Sequence, residues 1–292
     1  MKLAALAEKT RAILPALCCP LCAGTFSLEG TQSLVCESGH CFDLSKRGYI
    51  NLCPSHAQND EYYSAELFEC RRSIFQDGFY APVMQEIGTA VGAYASADGF
   101  SHSSSHSFSL VDAGCGEGSY ARYLSECFPQ VNILGIDLCR DALITAARQP
   151  SPVHWIIGDV SALPLRTGSA SVLLDVLTPA AYSEFTRVLA SDGILIKVVP
   201  GKDYLQEIRA CIQQDLRSDD YDNERVLAHL EKHAEVLERR TIRHTYPVSA
   251  AQAERFVRMT PMTLSLSAEK RGEIGFEAIT VHLEMVVCRM FA

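Results

Sequence analysis

At 292 residues, 48% of them hydrophobic, the chain allows one large domain plus a small one around a buried core, and an intrinsically disordered chain is excluded. No apolar run approaches the roughly 20 residues that cross a bilayer, and Glu8, Lys9 and Arg11 interrupt the stretch from Met1 to Leu17, so no span or secretory leader is read and a cytoplasmic protein is expected. The 12 cysteines are therefore expected to be reduced, with some binding metal, and the net charge of −9 confines any nucleic-acid contact to a local basic patch.

Residues 1–17 read as an extension. From Cys18 to Asn51 the sequence is rich in Cys and Gly and has no long helical period, so it is too small to hold a core without a staple. Cys19-Pro-Leu-Cys22, followed after thirteen residues by Cys36-Glu-Ser-Gly-His40, has the paired spacing of a structural zinc site. Two ligands on each of two tight turns close a tetrahedron around Zn²⁺ and leave no open coordination position. Cys18 and Cys41 stand beside the ligands Cys19, Cys22, Cys36 and His40, which leaves a register shift of one residue open.

From Glu61 to about Ala95, Leu67, Ile74, Phe75, Phe79, Val83 and Ile87 recur at three and four spacing and predict helices joined near Gly78. The Ser- and His-rich tract from Ser101 to Ser109 reads as a surface connection in which His102 and His106 are solvated or, less simply, metal-bound. The expected organisation is an extension (1–17), a zinc-binding domain (18–60), a helical connector and linker (61–107) and a cofactor-binding domain (108–292).

Past the linker the pattern becomes strand, turn, helix, repeated. Strands are predicted over Phe108 to Ala113, Val131 to Leu138, Val153 to Asp159, Ser171 to Leu177 and Gly193 to Pro200, with helices such as Ser119 to Phe128 and Ala181 to Leu189 between them. Alternation of this kind indicates a mostly parallel sheet with helices on both faces. Two further strands, Arg240 to Ser249 and Ala278 to Met290, flank a helix near Ala251 to Met259 and bring the sheet to seven strands in an α/β, Rossmann-like fold.

Ser109-Leu-Val-Asp-Ala-Gly-Cys-Gly-Glu-Gly118 places a glycine-rich turn directly after an apolar strand and before an amphipathic helix. Asp112, Gly114, Gly116, Glu117 and Gly118 thus become candidates for holding a cofactor against the free N–H groups of a helix start. The loop alone does not separate a dinucleotide from S-adenosylmethionine. Asp137-Leu138 ends the next strand, where the carboxylate suits two ribose hydroxyls. Asp159-Val160 ends the third, where Asp159 suits an adenine amino group or simply caps a helix. The compact Gly-x-Gly-x-Gly spacing and Asp159-x-x-x-Leu-Pro164 favour S-adenosylmethionine and look like class I methyltransferases. Thr178 and Pro179 end the fourth strand, where such enzymes place the substrate atom; the proline exposes carbonyls for a base amino group or merely ends the strand.

Together these pieces resemble one family: the bacterial large-subunit ribosomal RNA guanine-N1 methyltransferases, which include enzymes linked to macrolide resistance. The resemblance runs in order through the Cys/His quartet, Phe42-Asp43, Gly48-Tyr-Ile-Asn-Leu52, Arg71-Arg72, Gly78-Phe-Tyr-Ala-Pro82, Asp112-Ala-Gly-Cys-Gly-Glu-Gly118, Pro200-Gly201 and Met259-Thr-Pro261. It implies a structural zinc ion and cofactor contacts from Tyr80, Gly116, Glu117 and Tyr204, where some members carry His. It also implies a ribosomal hairpin as partner and a homodimer. The first eighteen or so residues lack a clear counterpart.

Guanine N1 carries a proton and is a poor nucleophile until it leaves, which calls for an acceptor. Asp175, three residues before Thr178 in a mostly apolar strand, is the candidate base or base-orienting group; the other reading is a carboxylate paired with a nearby cation, since it is costly unpaired. RNA is expected to meet the zinc module and a patch including Lys46, Arg47, Arg71, Arg72 and Lys202, with the target base unstacked into the pocket. A small-molecule methyltransferase and a non-catalytic zinc RNA-binding protein are the alternatives.

Overall fold

The computed structural model describes residues 3–53, 63–95, 109–215 and 223–291, so His102 and His106 lie outside the described residues. The extension contains helix α1 (Leu3–Arg11). It is docked: Leu6 and Ala7 are buried, and Lys9 Nζ donates to the carbonyls of Ser151, at 3.0 Å, and Val153. Next comes an antiparallel three-stranded sheet, β1 (Phe26–Glu29), β2 (Ser33–Cys36) and β3 (Cys41–Asp43), in that spatial order. Its small core rests on Leu34 and on Phe26 packed edge-on against Phe42 with ring centroids 5.6 Å apart.

Strand β4 (Tyr49–Asn51) leaves this module and joins the large sheet, parallel to β7 (His154–Ile157), with Ile50 opposite Ile156. The large sheet therefore has eight strands rather than the seven expected; the extra one is the Gly48-Tyr-Ile-Asn segment, too short to be read as a strand from its own pattern. Helices α2 (Ala65–Gln76) and α3 (Ala81–Tyr94) follow, separated by Gly78 at φ +87°. Ile74, Val83 and Ile87 on them, and Phe79 in the turn between, are buried in the core of the large sheet.

The remaining strands are β5 (Ser109–Ala113), β6 (Asn132–Asp137), β8 (Ala170–Val176), β9 (Leu189–Pro200), β10 (Ala234–Pro247) and β11 (Ala278–Met290). Helices α4 (Ser119–Cys127), α5 (Arg140–Ala147), α6 (Tyr182–Val188), α7 (Gln206–Cys211), α8 (Glu224–Leu230), α9 (Ala250–Met259) and α10 (Ala268–Glu273) connect them. The order across the sheet is β10-β11-β9-β8-β5-β6-β7-β4, parallel except for β11, which runs against both β9 and β10.

Successive residues in a strand point to opposite faces, and here both faces are apolar. Leu110, Ile133, Trp155, Val172 and Leu174 enter the cluster under α3 and α4. Val111, Leu134, Ile156 and Leu173 enter the cluster that holds α1, the zinc module and Phe185 of α6. The chain order reverses between β5 and β8, which opens a crevice beyond the carboxyl end of β5.

Candidate active site and metal centre

Two tight turns bring the metal quartet together. Ala23, at φ +57°, and the bond from Ala23 N–H to the Cys19 carbonyl (2.8 Å) close the first; Gly39, at φ +81°, and the bond from Gly39 N–H to the Cys36 carbonyl (2.8 Å) close the second. The ligand atoms of Cys19, Cys22, Cys36 and His40 all lie within 4.8 Å of one another, with Cys22 Sγ to Cys36 Sγ and Cys19 Sγ to His40 Nδ1 each 3.6 Å apart. Ligands at about 2.3 Å from a zinc ion stand about 3.7 Å apart along the edges of a tetrahedron. The donors fit Zn²⁺, and the backbone N–H of His40 also points to Cys36 Sγ at 3.3 Å. Cys18 and Cys41 are outside the quartet.

Beyond β5 lies a cavity of about 790 Å³. Its lining takes in Tyr80, Asp112, Gly114, Gly116, Glu117, Thr178, Pro179 and Tyr204, so candidate residues from four separate stretches of the sequence converge there. Gly114 sits at φ +75°, and a Cβ there would come within 2.3 Å of Thr178 Oγ1. Gly118, at φ +80°, backs onto Trp155, whose ring a Cβ would meet at 2.2 Å. The turn is therefore pinned between strands, and no side chain larger than hydrogen fits at either position.

Three carboxyl groups surround the turn, and each is held above its ordinary pKa. Burial, reinforced by Glu117 and Asp137, pushes Asp112 up to about 8. Burial also raises Glu117, opposed by the Arg71 guanidinium, and raises Asp137, opposed by the N–H groups it accepts from. Asp137 Oδ2 accepts from Gly116 N–H and Oδ1 from Cys139 N–H, both at 2.8 Å, which leaves further lone pairs for a ligand. Asp112 Oδ2 and the Tyr120 hydroxyl, both on the cavity wall, have no hydrogen-bond partner among the described residues. Buried polar atoms without partners cost roughly 1–3 kcal/mol each, so the wall suits a ligand that supplies them. These buried carboxyls suit a cation, such as a sulfonium or an ammonium, which favours their ionised form.

Opposite the turn, the Tyr80 and Tyr204 hydroxyls meet at 2.7 Å, and Phe75 stacks on Tyr80 with centroids 4.7 Å apart. Arg71 Nη2 donates to the Met259 carbonyl at 3.2 Å, and its guanidinium lies 5.5 Å from the Phe68 ring centroid, so the Arg71-Arg72 and Met259-Thr-Pro261 motifs form one wall. Arg72 is paired with Glu69 at 2.7 Å, whereas Lys46, Arg47 and Lys202 are exposed. Of the five basic residues expected to form the patch, Arg71 and Arg72 are thus engaged within the protein.

Five expected contacts lie outside the cavity lining: Gly118, which backs onto Trp155, and Asp137, Leu138, Asp159 and Val160, which stand at the ends of β6 and β7. Asp159 caps a short helical turn, its Oδ1 accepting from Ser161 N–H at 2.8 Å and Ser161 Oγ at 2.7 Å; the capping role allowed for it is realised. Asp175 is likewise absent from the lining. It is fully buried and accepts from Lys197 Nζ at 2.7 Å, so its carboxylate is the ion-paired one, with its pKa raised to about 6 by burial against the pull of Lys197. Lys197 also donates to the Thr178 carbonyl at 2.7 Å, one of the carbonyls thought open to a base amino group.

Tyr120, Tyr182, Lys197, Arg209, Arg225 and His229 are among the cavity residues that sequence reasoning left out of the site, and Arg71, expected only in the RNA patch, lines the cavity as well. For Lys197 a signal existed, since a lone cation interrupts the apolar run of β9 as Asp175 does that of β8.

A carboxyl-ringed glycine turn at the reversal point of a mostly parallel sheet defines a class I S-adenosylmethionine-dependent methyltransferase. Residues 110–193 match a methyltransferase domain model, and residues 17–60 match the model described as the N-terminal zinc ribbon of RlmA. YxjB of Bacillus subtilis, provisionally named a 23S rRNA (guanine-N1-)-methyltransferase, is 32% identical over 92% of this chain and 95% of its own. The 23S rRNA (guanine(748)-N1)-methyltransferase of Streptomyces fradiae is 28% identical over 93% and 95%. By contrast, the malonyl-[acyl-carrier protein] O-methyltransferase of Gallionella capsiferriformans matches only 34% of the chain and 40% of its own length, at 31% identity. The chain belongs to the 23S rRNA (guanine-N1)-methyltransferase family.

Proposed function

We propose that this protein transfers a methyl group from S-adenosylmethionine to N1 of a guanine in a hairpin of 23S rRNA. The observation that carries the reading is the pairing, in one chain, of a four-ligand zinc module with a carboxyl-ringed cavity whose wall holds the unpartnered Asp112 Oδ2 and Tyr120 hydroxyl. When bound, the cofactor supplies an electrophilic methyl carbon on a sulfonium. Asp112 would accept from its ammonium group, Asp137 from its ribose hydroxyls, and Asp159 from its adenine amino group. Leu138 and Val160, at the ends of β6 and β7, would contact its adenine, and Gly114, Gly116, Glu117 and Gly118 would hold the amino-acid end beside the hydrogen-bonded hydroxyls of Tyr80 and Tyr204. Thr178 and Pro179 line the side where the base enters. Methyl transfer is an in-line displacement with a neutral leaving group, so alignment is the chain's main contribution.

The zinc ion, with all four positions taken by protein, holds the module's shape, and the exposed Lys46 and Arg47 beyond β3 offer phosphate contacts there. The active species is a homodimer, and N1 methylation of the hairpin lowers macrolide sensitivity. Both extensions are checked simply, by sedimentation mass against 32.1 kDa per chain and by growth on a macrolide with and without the gene.

The deciding experiment offers labelled cofactor to protein-free 23S rRNA and, separately, to quinone and lipid acceptors. Label in the RNA, with a reverse-transcription stop at one guanine, is the expected result, because a methyl on N1 blocks Watson–Crick pairing. Label only in a small acceptor would replace this reading with a small-molecule methyltransferase.

A further inference from the structure

We propose that Lys197 is a catalytic residue that grips O6 of the target guanine; the assignment rests on the guanine-N1 reading above. Lys197 on β9 and Asp175 on β8 are direct register partners in adjacent parallel strands. The lysine is 3% exposed and yet lines the cavity, while the aspartate behind it is wholly buried. An ammonium has three donors. Among the described residues, Asp175 Oδ2 and the Thr178 carbonyl take one each, both at 2.7 Å, which leaves one N–H for an occupant of the cavity.

Stability is a poor reason for this arrangement, because a buried ion pair is often no better than two apolar side chains of the same volume. The backbone beside it is also held against its preference. Leu177, immediately before Thr178, sits at φ +55°, a left-handed conformation that costs a residue with a Cβ about 1–2 kcal/mol. Strain of this kind persists where the surroundings fix a turn for a ligand. Lys197 fixes it, by binding the carbonyl of the very next residue.

The chemistry of guanine explains what a fixed cation achieves. Loss of the N1 proton places negative charge on N1 that is shared with O6 through C6. An almost wholly buried ammonium against O6 stabilises that charge. The N1 proton passes to water at the cavity mouth, the freed N1 electron pair forms the bond to the methyl carbon, and the carbon–sulfur pair returns to sulfur. Asp175 is then a positioning residue that holds the ammonium in place. The same contact selects the base, since adenine carries an amino donor where guanine carries the O6 acceptor, and two donors would face each other.

The test compares the wild type with Asp175→Asn/Lys197→Met, which removes both charges and leaves no lone buried carboxylate. Lys197→Gln, measured alongside, keeps a donor for Asp175 and Thr178 but no charge. Calorimetry is expected to give an unchanged S-adenosylmethionine Kd for both variants, and gel-shift titration with protein-free 23S rRNA a Kd within about five-fold, the loss of one contact to O6, while single-turnover methylation falls about 100-fold or more. Methylation within five-fold of wild type in either variant that binds the cofactor overturns the assignment. If the wild type itself leaves no N1-methylguanine in the RNA, it is the function above that fails, so the two failures are distinguishable.

Discussion

The zinc module and the cofactor cavity solve the same problem, fixing a few side chains in space, by opposite means. In the module, four ligands spread over 22 residues from Cys19 to His40 meet because two tight turns and one ion hold them; only three short strands and a handful of apolar side chains support them. In the cavity, residues from Arg71 to Met262 meet because a two-sided hydrophobic sheet sets every strand end. The first region adds a ligand to a small buried contact with the sheet, and the second rests on burial alone. They should therefore fail differently.

The largest effect is expected from the metal. Structural zinc binding in finger peptides is worth about 10–16 kcal/mol at neutral pH, far more than three short strands supply. Cys36→Ser should abolish stoichiometric zinc by atomic absorption and open the segment around Cys18 to Asn51 to protease, yet leave S-adenosylmethionine binding by calorimetry within ten-fold of wild type. Loss of cofactor binding along with zinc would show that the two regions are not separable.

Next comes the glycine turn. Gly114→Ala forces a Cβ against Thr178 at a left-handed φ, at a cost of about 2–4 kcal/mol for the overlap and backbone together. Cofactor binding should vanish from calorimetry while zinc content stays at one per chain, the mirror image of Cys36→Ser.

A pH experiment probes the carboxyl ring. With Asp112 at about 8, the free protein carries a protonated carboxyl at pH 7. A cation seated against it favours the ionised form, so binding should release close to one proton and tighten as pH rises toward 8, by up to about ten-fold per unit. The folding contribution has the matching sign: this group favours the free fold most below its unfolded pKa and loses that contribution as pH rises through 8. Calorimetry in buffers of different ionisation enthalpy reads the proton, and Asp112→Asn should erase it. The smallest effect is expected from Tyr204→Phe, which removes one side of the 2.7 Å hydroxyl pair; a hydrogen bond worth about 1 kcal/mol corresponds to a cofactor Kd about five-fold weaker.

Legibility in the sequence follows the same divide. The metal ligands were readable because their spacing alone defines the geometry, and the glycine turn because strand, turn and helix are contiguous. Most strands were readable from apolar runs buried on both faces, as in Ile133 to Ile136. What escaped depends on distant partners. Nothing near Lys9 announces that it reaches the carbonyls of Ser151 and Val153, so residues 1–17 read only as an extension. Nothing near Asp175 names Lys197, 22 residues on and one strand over, although each charge stands out in its own apolar strand. The eighth strand escaped because three residues carry no period of their own, and their partners, β7 and Leu44, give them their conformation.

That borrowed strand has a consequence for the edges of the large sheet. An uncapped rim of a sheet offers unpaired N–H and C=O groups to any passing chain and templates aggregation. On one flank β10 guards itself with charged, outward residues such as Glu235, Glu238, Arg239 and Arg243. The opposite flank, β7, is wholly buried and apolar apart from His154, and β4 is what covers it. A fragment beginning after Asn51 would lay that rim bare, so the small metal-bearing head also serves as the stopper for its larger neighbour.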